Sequence, residues 1–245
     1  MTRPFREELK YVVHHSTAAT LLERWSRHLT HDPYADSYGY TPVLSQYYDT
    51  PDLAFYFEKL DGIEFRCKVR LRTYDVRFHR GASSFLEIKQ RLGSRVRKVR
   101  SRIRALEPDH LDPGRWGFAD QTTADAFHSL AARYPLVPSA QVFYVRRAFS
   151  SVVEPSLRVT LDSGLSALFP GERIGSDGMA DPSRRLMSDT LAILEVKSTA
   201  SLPAWVTDGA LAAELFQQPV PKYASAVARL GEQALISGGL KTVRI

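Results

Sequence analysis

The stretch EFRCKVRLRTYD, residues 64–75, alternates between two kinds of side chain. One side carries Lys68, Arg70, Arg72 and Tyr74, and the other carries Val69, Leu71 and Thr73. Because successive side chains of a β-strand point to opposite faces, this pattern predicts a strand with one buried face and one cationic face. What the cationic face binds is the first question that the sequence raises.

The composition limits the class of protein. The chain has 245 residues, of which 44% are hydrophobic, so it can bury a sizeable core and disorder is not expected. The net charge of +6 favours anionic partners: nucleic acid, phosphorylated metabolites, polyphosphate or an acidic membrane surface. Cys67 is the only cysteine, which excludes an intrachain disulfide and a multi-cysteine metal site.

The sequence shows neither the pattern of a signal peptide nor that of a membrane span. The first residues, MTRPFREELKYVV, carry too many charges for a signal peptide. No apolar run approaches the roughly 18 residues that a membrane span needs. The sequence therefore predicts a soluble, cytoplasmic protein that does not insert directly into a membrane.

Strand-like segments dominate the chain, and helical segments lie between them. The predicted strands are Glu7–Val13, Val43–Asp49, Gly62–Tyr74, Ser84–Gln90, Val96–Ile103, Val142–Ser150, Leu157–Leu161 and Leu191–Lys197. The predicted helices are Thr17–Leu29, with Ser16 as its cap, Thr122–Tyr134, Val206–Phe216 and Pro221–Leu235. This order predicts an α+β fold in which about eight mostly antiparallel strands close into a barrel with helices outside.

Charged residues share one face on most of these strands. They are Glu8 and Lys10; Glu87 and Lys89; Lys98, Arg100 and Arg102; Tyr144 and Arg146; Arg158; and Glu195 and Lys197. A solvated outer face explains any one of these strands alone. Helices packed outside a closed sheet would instead turn all the charged faces toward one cavity. About ten cations there would need a polyanionic ligand, interspersed carboxylates, or both.

Three carboxylates each precede a lysine by two residues on the same strand face. They are Glu8, Glu87 and Glu195, before Lys10, Lys89 and Lys197. One interpretation is charge-neutralising salt bridges between neighbouring strands. The other is a divalent metal site, because Mg²⁺ and Mn²⁺ prefer one or two carboxylates together with substrate phosphates. Cations that hold phosphates, with metal ions that neutralise charge on the transferred group, are what triphosphate chemistry requires.

Nine short motifs, in order, resemble the VTC domain, the polyphosphate polymerase domain of the vacuolar transporter chaperone family. That family lies within the triphosphate tunnel metalloenzyme, or CYTH-like, superfamily. The motifs are FREELKYVV, YYDTPDLAFY, RCKVRLRTYD, FLEIKQ, RKVRSR, FYVRRAF, LRVTLD, LEVK and PKYASA. Each motif is weak alone, but together they span about residues 5–235 as one domain. The resemblance implies an eight-stranded antiparallel tunnel lined by basic residues.

The resemblance also implies an activity and a set of site residues. The family moves the γ-phosphate of ATP onto a growing polyphosphate chain, with Mn²⁺ as the metal. For this chain we expect a nucleoside triphosphate or polyphosphate as substrate and Mn²⁺ or Mg²⁺ as the metal. The implied catalytic residues are Lys10, Arg70, Arg72, Lys89, Lys98 and Arg146. The implied substrate-binding residues are Arg100, Tyr144, Arg158, Lys197 and Lys222. Glu195 resembles the metal-binding glutamate, and Glu8 and Glu87 occupy positions where relatives carry carboxylates.

Two departures from the family pattern leave alternatives open. Arg6 stands where CYTH enzymes carry their first glutamate, which argues against the thiamine triphosphatase and adenylyl cyclase branches. The motif PKYASA lacks the second lysine that relatives often carry, which weakens the case for a polymerase. The alternatives are a tri- or polyphosphatase and a non-catalytic polyphosphate-binding module. Nucleic acid is disfavoured because the interleaved glutamates would repel its backbone, and protein partners are left open.

Three further residue groups are predicted to be structural. Asp49 and Thr50 are expected to form a turn at a strand end. His28 and His31 are expected at a helix end and its loop, capping or exposed to solvent. Cys67 alternates with the cationic residues of its strand, so we expect it in the buried core.

Overall fold

A computed structural model describes residues 7–79, 81–103, 116–175 and 180–236, with side chains to residue 234. Nine strands and five α-helices lie within these ranges. The strands are β1 (Glu7–His14), β2 (Leu29–His31), β3 (Thr41–Asp49), β4 (Phe65–Thr73), β5 (Ser84–Leu92), β6 (Arg95–Ile103), β7 (Val137–Ser151), β8 (Arg158–Leu168) and β9 (Leu191–Ser198). The helices are α1 (His15–Arg24), α2 (Ala54–Leu60), α3 (Gln121–Ala131), α4 (Ala204–Ala212) and α5 (Lys222–Ile236).

The strands form a single antiparallel sheet, so the predicted α+β class is confirmed. Their hydrogen-bonded order is β1-β9-β8-β7-β3-β4-β5-β6, and β2 pairs with β7 beside this path. Every pair whose register is described is antiparallel. In the described ranges β1 and β6 end the order without pairing to each other. Eight strands lie on the path, as expected, but closure into a barrel stays a prediction.

The region after α1 contains two short elements that were not predicted, and the helix predicted there is too long. Helix α1 ends at Arg24, and a 3-10 turn over Ser26–His28 leads into β2, where Leu29 pairs with Ser151. The predicted Ser16 cap is wrong, because α1 begins at His15 and Ser16 lies inside it. A three-residue strand is too short to show alternation, so its pairing partner determines its structure.

The described chain divides into two compact units that interleave along the sequence. Unit 1 comprises Met1–Pro42, Tyr144–Leu165 and Met187–Val220, and unit 2 comprises Val43–Phe143, Ser166–Leu186 and Pro221–Ile245. Arg6, which carried one of the departures from the family pattern, lies outside the described residues. The prediction of one domain over residues 5–235 stays a prediction.

In unit 1 the strand order is β1-β9-β8-β7, and one face of these strands packs against α1 and α4. That face carries alternate residues of each strand, among them Tyr11, Val13, Leu161, Leu194 and Val196. Trp25 donates its indole N–H to the Trp205 carbonyl at 2.9 Å, and a Cβ at Gly209 would lie 2.5 Å from Trp25 Nε1. The glycine therefore permits this close approach of α4. The opposite face of the strands carries the charged residues.

In unit 2 the order is β7-β3-β4-β5-β6, and α2 and α3 cover the apolar face. The buried side chains Val69, Leu86, Ile88 and Phe127 belong to this core, and Cys67 is buried as predicted. Each large apolar side chain of this kind contributes about 1.5–3 kcal/mol when it is fully buried. As in unit 1, alternation leaves the charged residues on the other face. None of the described helices is both long and apolar enough to span a bilayer.

Candidate functional site

In unit 2, strand register places the predicted cations in cross-strand rows. One row is Tyr47, Arg70, Glu87 and Arg100, and the next is Lys68, Lys89 and Lys98. A third row contains Ser45, Arg72, Phe85 and Arg102. Directly opposed Cβ atoms in antiparallel strands lie about 5 Å apart, so the side chains of a row can contact one another.

Glu87 lies at the centre of these rows and binds cations from both neighbouring strands. Arg70 contributes Nε at 2.7 Å and Nη2 at 2.6 Å to Oε2, while Lys98 Nζ lies 2.7 Å from Oε1. Arg72 Nη1 and Arg100 Nε lie farther away, at 3.8 and 3.7 Å. We call these five residues the Glu87 cluster. Only 4% of Glu87 is exposed, so the carboxylate is an internal anchor for the four cations.

The Glu87 cluster carries excess positive charge. Four cations and one carboxylate give 4 − 1 = +3. Burial acts to raise the pKa of Glu87, but the charges of Arg70, Arg72 and Lys98 outweigh it, and the pKa lies well below its usual range. Burial also lowers the pKa of Lys98, and the neighbouring arginines reinforce this against the attraction of Glu87. Such a cluster is complementary to a compact polyanion.

Polar and aromatic neighbours hold the arginines of the cluster in place. Arg72 is buried, and its Nε donates to Ser45 Oγ at 3.1 Å. The Arg100 guanidinium lies 3.9 Å from the centre of the Phe85 ring, and its Nη2 donates to the Tyr74 hydroxyl at 3.2 Å. Planar guanidinium groups held in this way are pre-organised for phosphate oxygens. Of the other predicted residues in unit 2, Lys89 is exposed and Lys222 is the first residue of α5.

In unit 1 the strand register joins the two remaining predicted carboxylates. Lys10 lies opposite Glu195, and Glu8 lies opposite Lys197. Lys10 Nζ is 2.5 Å from Glu8 Oε1 and 3.3 Å from Glu195 Oε1, and Lys197 Nζ is 2.8 Å from Glu195 Oε2. We call Glu8, Lys10, Glu195 and Lys197 the Glu195 cluster. Two carboxylates and two lysines give it a net charge of zero, 2 − 2 = 0.

Neighbouring charges set the direction of the pKa shifts of Glu8 and Lys10. Burial acts to raise the pKa of Glu8, but its hydrogen bond with Glu195 and the charges of Lys197 and Lys10 outweigh this, and the pKa lies well below its usual range. Burial acts to lower the pKa of Lys10, yet Glu195 and Glu8 raise it above the usual value. The Glu8 carboxylate is thus kept in the form that binds cations.

The donor set of the Glu195 cluster fits a divalent ion in part. Two carboxylates are the number that Mg²⁺ or Mn²⁺ uses when substrate phosphates complete its coordination. Thr160 lies opposite Glu195, and its buried hydroxyl oxygen has no hydrogen-bond partner among the described residues. No group of three or more His, Cys, Asp or Glu placed to hold a metal occurs in the described part of the chain. The metal-binding role of Glu8, Glu87 and Glu195 stays a prediction.

The other predicted residues of unit 1 also bind carboxylates. Arg146 donates to Asp162 through Nε at 2.6 Å and Nη2 at 2.8 Å, and Asp162 is completely buried. The Arg146 guanidinium lies 5.3 Å from the centre of the buried Tyr144 ring. Arg158 is more exposed and pairs with Asp32. Ion pairs were expected on these strands, but these two acidic partners were not identified.

Several residues were assigned differently or missed by sequence reasoning. Asp49 does lie at a turn, and it also caps α2 by accepting from the backbone N–H groups of Phe55 and Tyr56 at 2.8 and 3.0 Å. His31 is exposed, as expected, whereas His28 stacks on Trp205 with ring centres 4.7 Å apart. Asp162 and Thr160 lie within the quoted LRVTLD motif. Alternation from Arg158 places both on the charged face, and that signal could have identified them.

Comparison with solved structures bears on the fold. A Bacillus halodurans protein, described as a proposed adenylate cyclase, matches with a TM-score of 0.50 at 14% identity, over 88% of this chain and 94% of that chain. A proposed adenylyl cyclase from Hippeastrum, described as having a dominant triphosphatase activity, matches with a TM-score of 0.48 at 15% identity, over 91% and 96% of the two chains. The first match shows a shared fold. No curated protein sequence matches significantly.

Comparison of the whole chain with known protein families tests the resemblance that the nine motifs indicate. The VTC domain matches residues 5–231, a range that includes both clusters and the start of α5. Because this range covers more than half of the 245 residues, the chain belongs to the VTC domain family.

Proposed function

We propose that this protein is a metal-dependent phosphoryl-transfer enzyme that acts on a nucleoside triphosphate or polyphosphate, as a polyphosphate polymerase does. The observation that carries the proposal is the Glu87 cluster, where four cations around one buried carboxylate leave a charge of +3. A chain of phosphates supplies the compensating charge, and its oxygens match the donor geometry of arginine. Membership of the VTC domain family supports the same substrate class.

The phosphate-binding role falls first on the Glu87 cluster. Arg70, Arg72, Lys98 and Arg100 bind phosphate oxygens, and Lys89 and Lys222 add charge to the same unit. In unit 1 we assign the same role to Lys10, Lys197, Arg146 and Arg158, with Tyr144 beneath the Arg146 guanidinium. Glu87 is the internal anchor that keeps its cations together, since its oxygens are engaged by cations from β4 and β6. We therefore do not assign it to the metal.

Glu8 and Glu195 would hold the Mn²⁺ or Mg²⁺, beside the hydroxyl of Thr160. A bound divalent ion neutralises the charge that develops on the transferred phosphoryl group. Lys10 and Lys197 contact these two carboxylates and offset their charge. The cations of the chain orient the phosphates and stabilise negative charge in the transition state. Positioning and charge stabilisation supply most of the catalysis in this type of reaction, and no covalent nucleophile is needed.

The acceptor distinguishes a polymerase from a tri- or polyphosphatase. The test is to incubate the protein with ATP and either Mn²⁺ or Mg²⁺, then to measure polyphosphate and free phosphate separately. We expect polyphosphate to form and to disappear in an Arg70→Ala/Arg72→Ala double variant. Arg97→Ala is the matched control, because Arg97 is an exposed arginine on β6 and lies opposite Gln90, outside the cationic rows. Free phosphate alone indicates a phosphatase, and neither product argues against catalysis.

A non-catalytic polyphosphate-binding module is the second candidate. The observation that favours it is the pairing of Glu8 and Glu195 with Lys10 and Lys197, which a metal ion must disturb. The missing second lysine of PKYASA points the same way. Tight binding of tripolyphosphate with no turnover under any metal condition selects this candidate. We further propose that the protein acts in the cytoplasm and that its small-molecule partners are nucleoside triphosphate and polyphosphate.

A further inference from the structure

Tyr47 lies in the same cross-strand row as Arg70 and Glu87, although none of the site predictions includes it. It is a residue of β3 with 2% of its surface exposed. Its hydroxyl accepts a hydrogen bond from Arg70 Nη1 at 3.2 Å. The Lys68 ammonium and the Arg70 guanidinium lie 5.9 and 6.0 Å from the centre of its ring. A buried phenol is thus surrounded by the cations of the proposed phosphate site.

Arg70 is consequently held from two sides. Glu87 contacts Nε at 2.7 Å and Nη2 at 2.6 Å, whereas Tyr47 contacts Nη1. All three nitrogens of the guanidinium therefore have fixed partners on β3 and β5. A guanidinium that is fixed before the ligand arrives loses less conformational entropy on binding.

Tyr47 itself is fixed by the start of α5. Its ring stacks on Tyr223 with centres 4.9 Å apart and an interplanar angle of 27°. Tyr223 donates its hydroxyl to Asp49 Oδ2 at 2.6 Å and lies 3.1 Å from Ser139 Oγ. Asp49 is fully buried and caps α2 through two backbone N–H groups of that helix. The position of the Tyr47 hydroxyl is thus defined by a network that joins β3, β7, α2 and α5.

We propose that Tyr47 is a positioning residue for the phosphate site, whose hydroxyl fixes the Arg70 guanidinium and whose ring is held by Tyr223. This inference rests on the proposed function, because it concerns how Arg70 binds phosphate oxygens. It assigns no proton transfer to Tyr47. Its role is to keep Arg70 in one orientation, so its loss weakens binding more than it lowers turnover.

Titration gives this role a signature that a merely structural residue lacks. Burial acts to raise the pKa of Tyr47, but Arg70, Lys68 and Arg72 outweigh it and lower the pKa to about 8. These three cations face Tyr47 from β4, Tyr223 faces it from α5, and the Asp49 carboxylate lies beyond the Tyr223 hydroxyl. Above pH 8 the phenolate adds negative charge beside Arg70. Tripolyphosphate binding should therefore weaken as the pH rises through 8.

The experiment compares Tyr47→Phe with Tyr48→Phe. Tyr48 is the neighbouring residue on the opposite face, equally buried, and its hydroxyl has no hydrogen-bond partner among the described residues. Calorimetry with inorganic tripolyphosphate, without metal, measures the dissociation constant at pH 7 and pH 9. We expect Tyr47→Phe to bind about three- to tenfold more weakly than wild type at pH 7, because it loses one hydrogen bond to a charged group. Tyr48→Phe should bind like wild type.

The pH comparison isolates Tyr47 from other titrating groups. Ionisation of the ligand and of Lys98 affects every variant alike. We expect the ratio of Tyr47→Phe to wild-type affinity to approach one between pH 7 and pH 9, because the wild type alone acquires the phenolate. Equal affinities at pH 7, with parallel pH profiles, overturn the proposal.

A measurement on the wild type covers the case in which Tyr47→Phe does not fold. Ultraviolet difference titration should show one tyrosine ionising near pH 8, and saturating tripolyphosphate should move that ionisation to higher pH. No such tyrosine, or a titration unaffected by the ligand, overturns the positioning role. A folded wild type that does not bind tripolyphosphate contradicts the proposed function, whereas wild-type binding with unchanged Tyr47→Phe binding contradicts only this inference.

Discussion

The Glu87 cluster and the Glu195 cluster both combine glutamates with cationic side chains, but in different proportions. The first surrounds one carboxylate with four cations, three of which are arginines, and carries +3. The second pairs two carboxylates with two lysines and carries no net charge. Both occupy the charged face of antiparallel strands. Their difference is therefore one of stoichiometry and of cation type, and not of local backbone structure.

This difference indicates two tasks. An excess of arginine binds an anion, because the forked guanidinium can satisfy one carboxylate and still offer donors to phosphate oxygens. A neutral pair of carboxylates and lysines can exchange a flexible ammonium for a metal ion, because each lysine is a point charge on a mobile side chain. The cost of removing a carboxylate should consequently differ between the clusters.

The largest expected effect is on stability, after Glu87→Gln. This change leaves Arg70, Arg72 and Lys98 facing one another around a neutral side chain. Breaking a buried ion pair in this way costs about 3 kcal/mol of the free energy of unfolding. Urea denaturation at neutral pH measures it. Glu8→Gln is the matched variant, and because about a third of the Glu8 side chain is exposed, we expect a loss of about 1 kcal/mol or less. Equal losses would remove the distinction between the clusters.

The next effect is on anion binding, after Arg70→Ala. Loss of charge-assisted hydrogen bonds to phosphate should weaken tripolyphosphate binding about 30-fold, or about 2 kcal/mol. Calorimetry without metal measures it. Lys197→Ala in the neutral cluster should weaken binding about threefold, and Arg97→Ala should leave it unchanged. If Lys197→Ala weakens metal-free binding more than Arg70→Ala does, then the Glu195 cluster and not the Glu87 cluster is the main phosphate-binding site.

Metal affinity should depend on the Glu195 cluster and not on the Glu87 cluster, the reverse of anion binding. Glu195→Gln should weaken Mn²⁺ binding at least about tenfold, since loss of a direct ligand costs no less than loss of an outer-shell partner. Electron paramagnetic resonance of free Mn²⁺ measures this without any substrate or turnover. Glu87→Gln should bind Mn²⁺ like wild type. Equal losses in both variants, or no Mn²⁺ binding by the wild type, would contradict the assignment of the metal to Glu8 and Glu195.

The charged faces could be predicted because their signal is local. Alternation with period two depends only on consecutive residues, so it placed Arg70, Arg72 and Glu87 on one face before any pairing was known. It likewise predicted all eight strands of the hydrogen-bonded path. The seven-residue helix α2 was missed because its cap, Asp49, lies five residues before its first residue and reaches it through a turn that includes Leu53 in the left-handed region.

The stoichiometry of each cluster could not be predicted, because it depends on register. One interpretation of the sequence was salt bridges between neighbouring strands, and the contacts of Lys10 with Glu195 and of Lys98 with Glu87 agree with it, although the sequence did not give the partners. For Glu87 the described partners come from β4 and β6, whose register places Arg70 and Arg100 directly opposite it. The place of Tyr47 in the site could not be predicted for the same reason, because it depends on the pairing of Tyr47 with Arg70.

The smallest effect is the acid sensitivity of the Glu87 cluster. The pKa of Glu87 is lower in the folded protein than its usual value of 4.5, so the stability it contributes is complete above pH 4.5 and is lost as the pH falls toward the folded-state pKa. The unfolded chain takes up a proton in that window, and the folded chain does not. Between pH 5 and pH 3.5 the wild type should therefore lose about 1 kcal/mol more stability than Glu87→Gln, measured by urea denaturation at both pH values. Because Glu8 also has a lowered pKa, Glu8→Gln should show part of the same difference. Parallel acid profiles for the wild type and Glu87→Gln would mean that the four cations do not hold Glu87 as an ionised anchor, and the contrast between the two clusters would then rest on geometry alone.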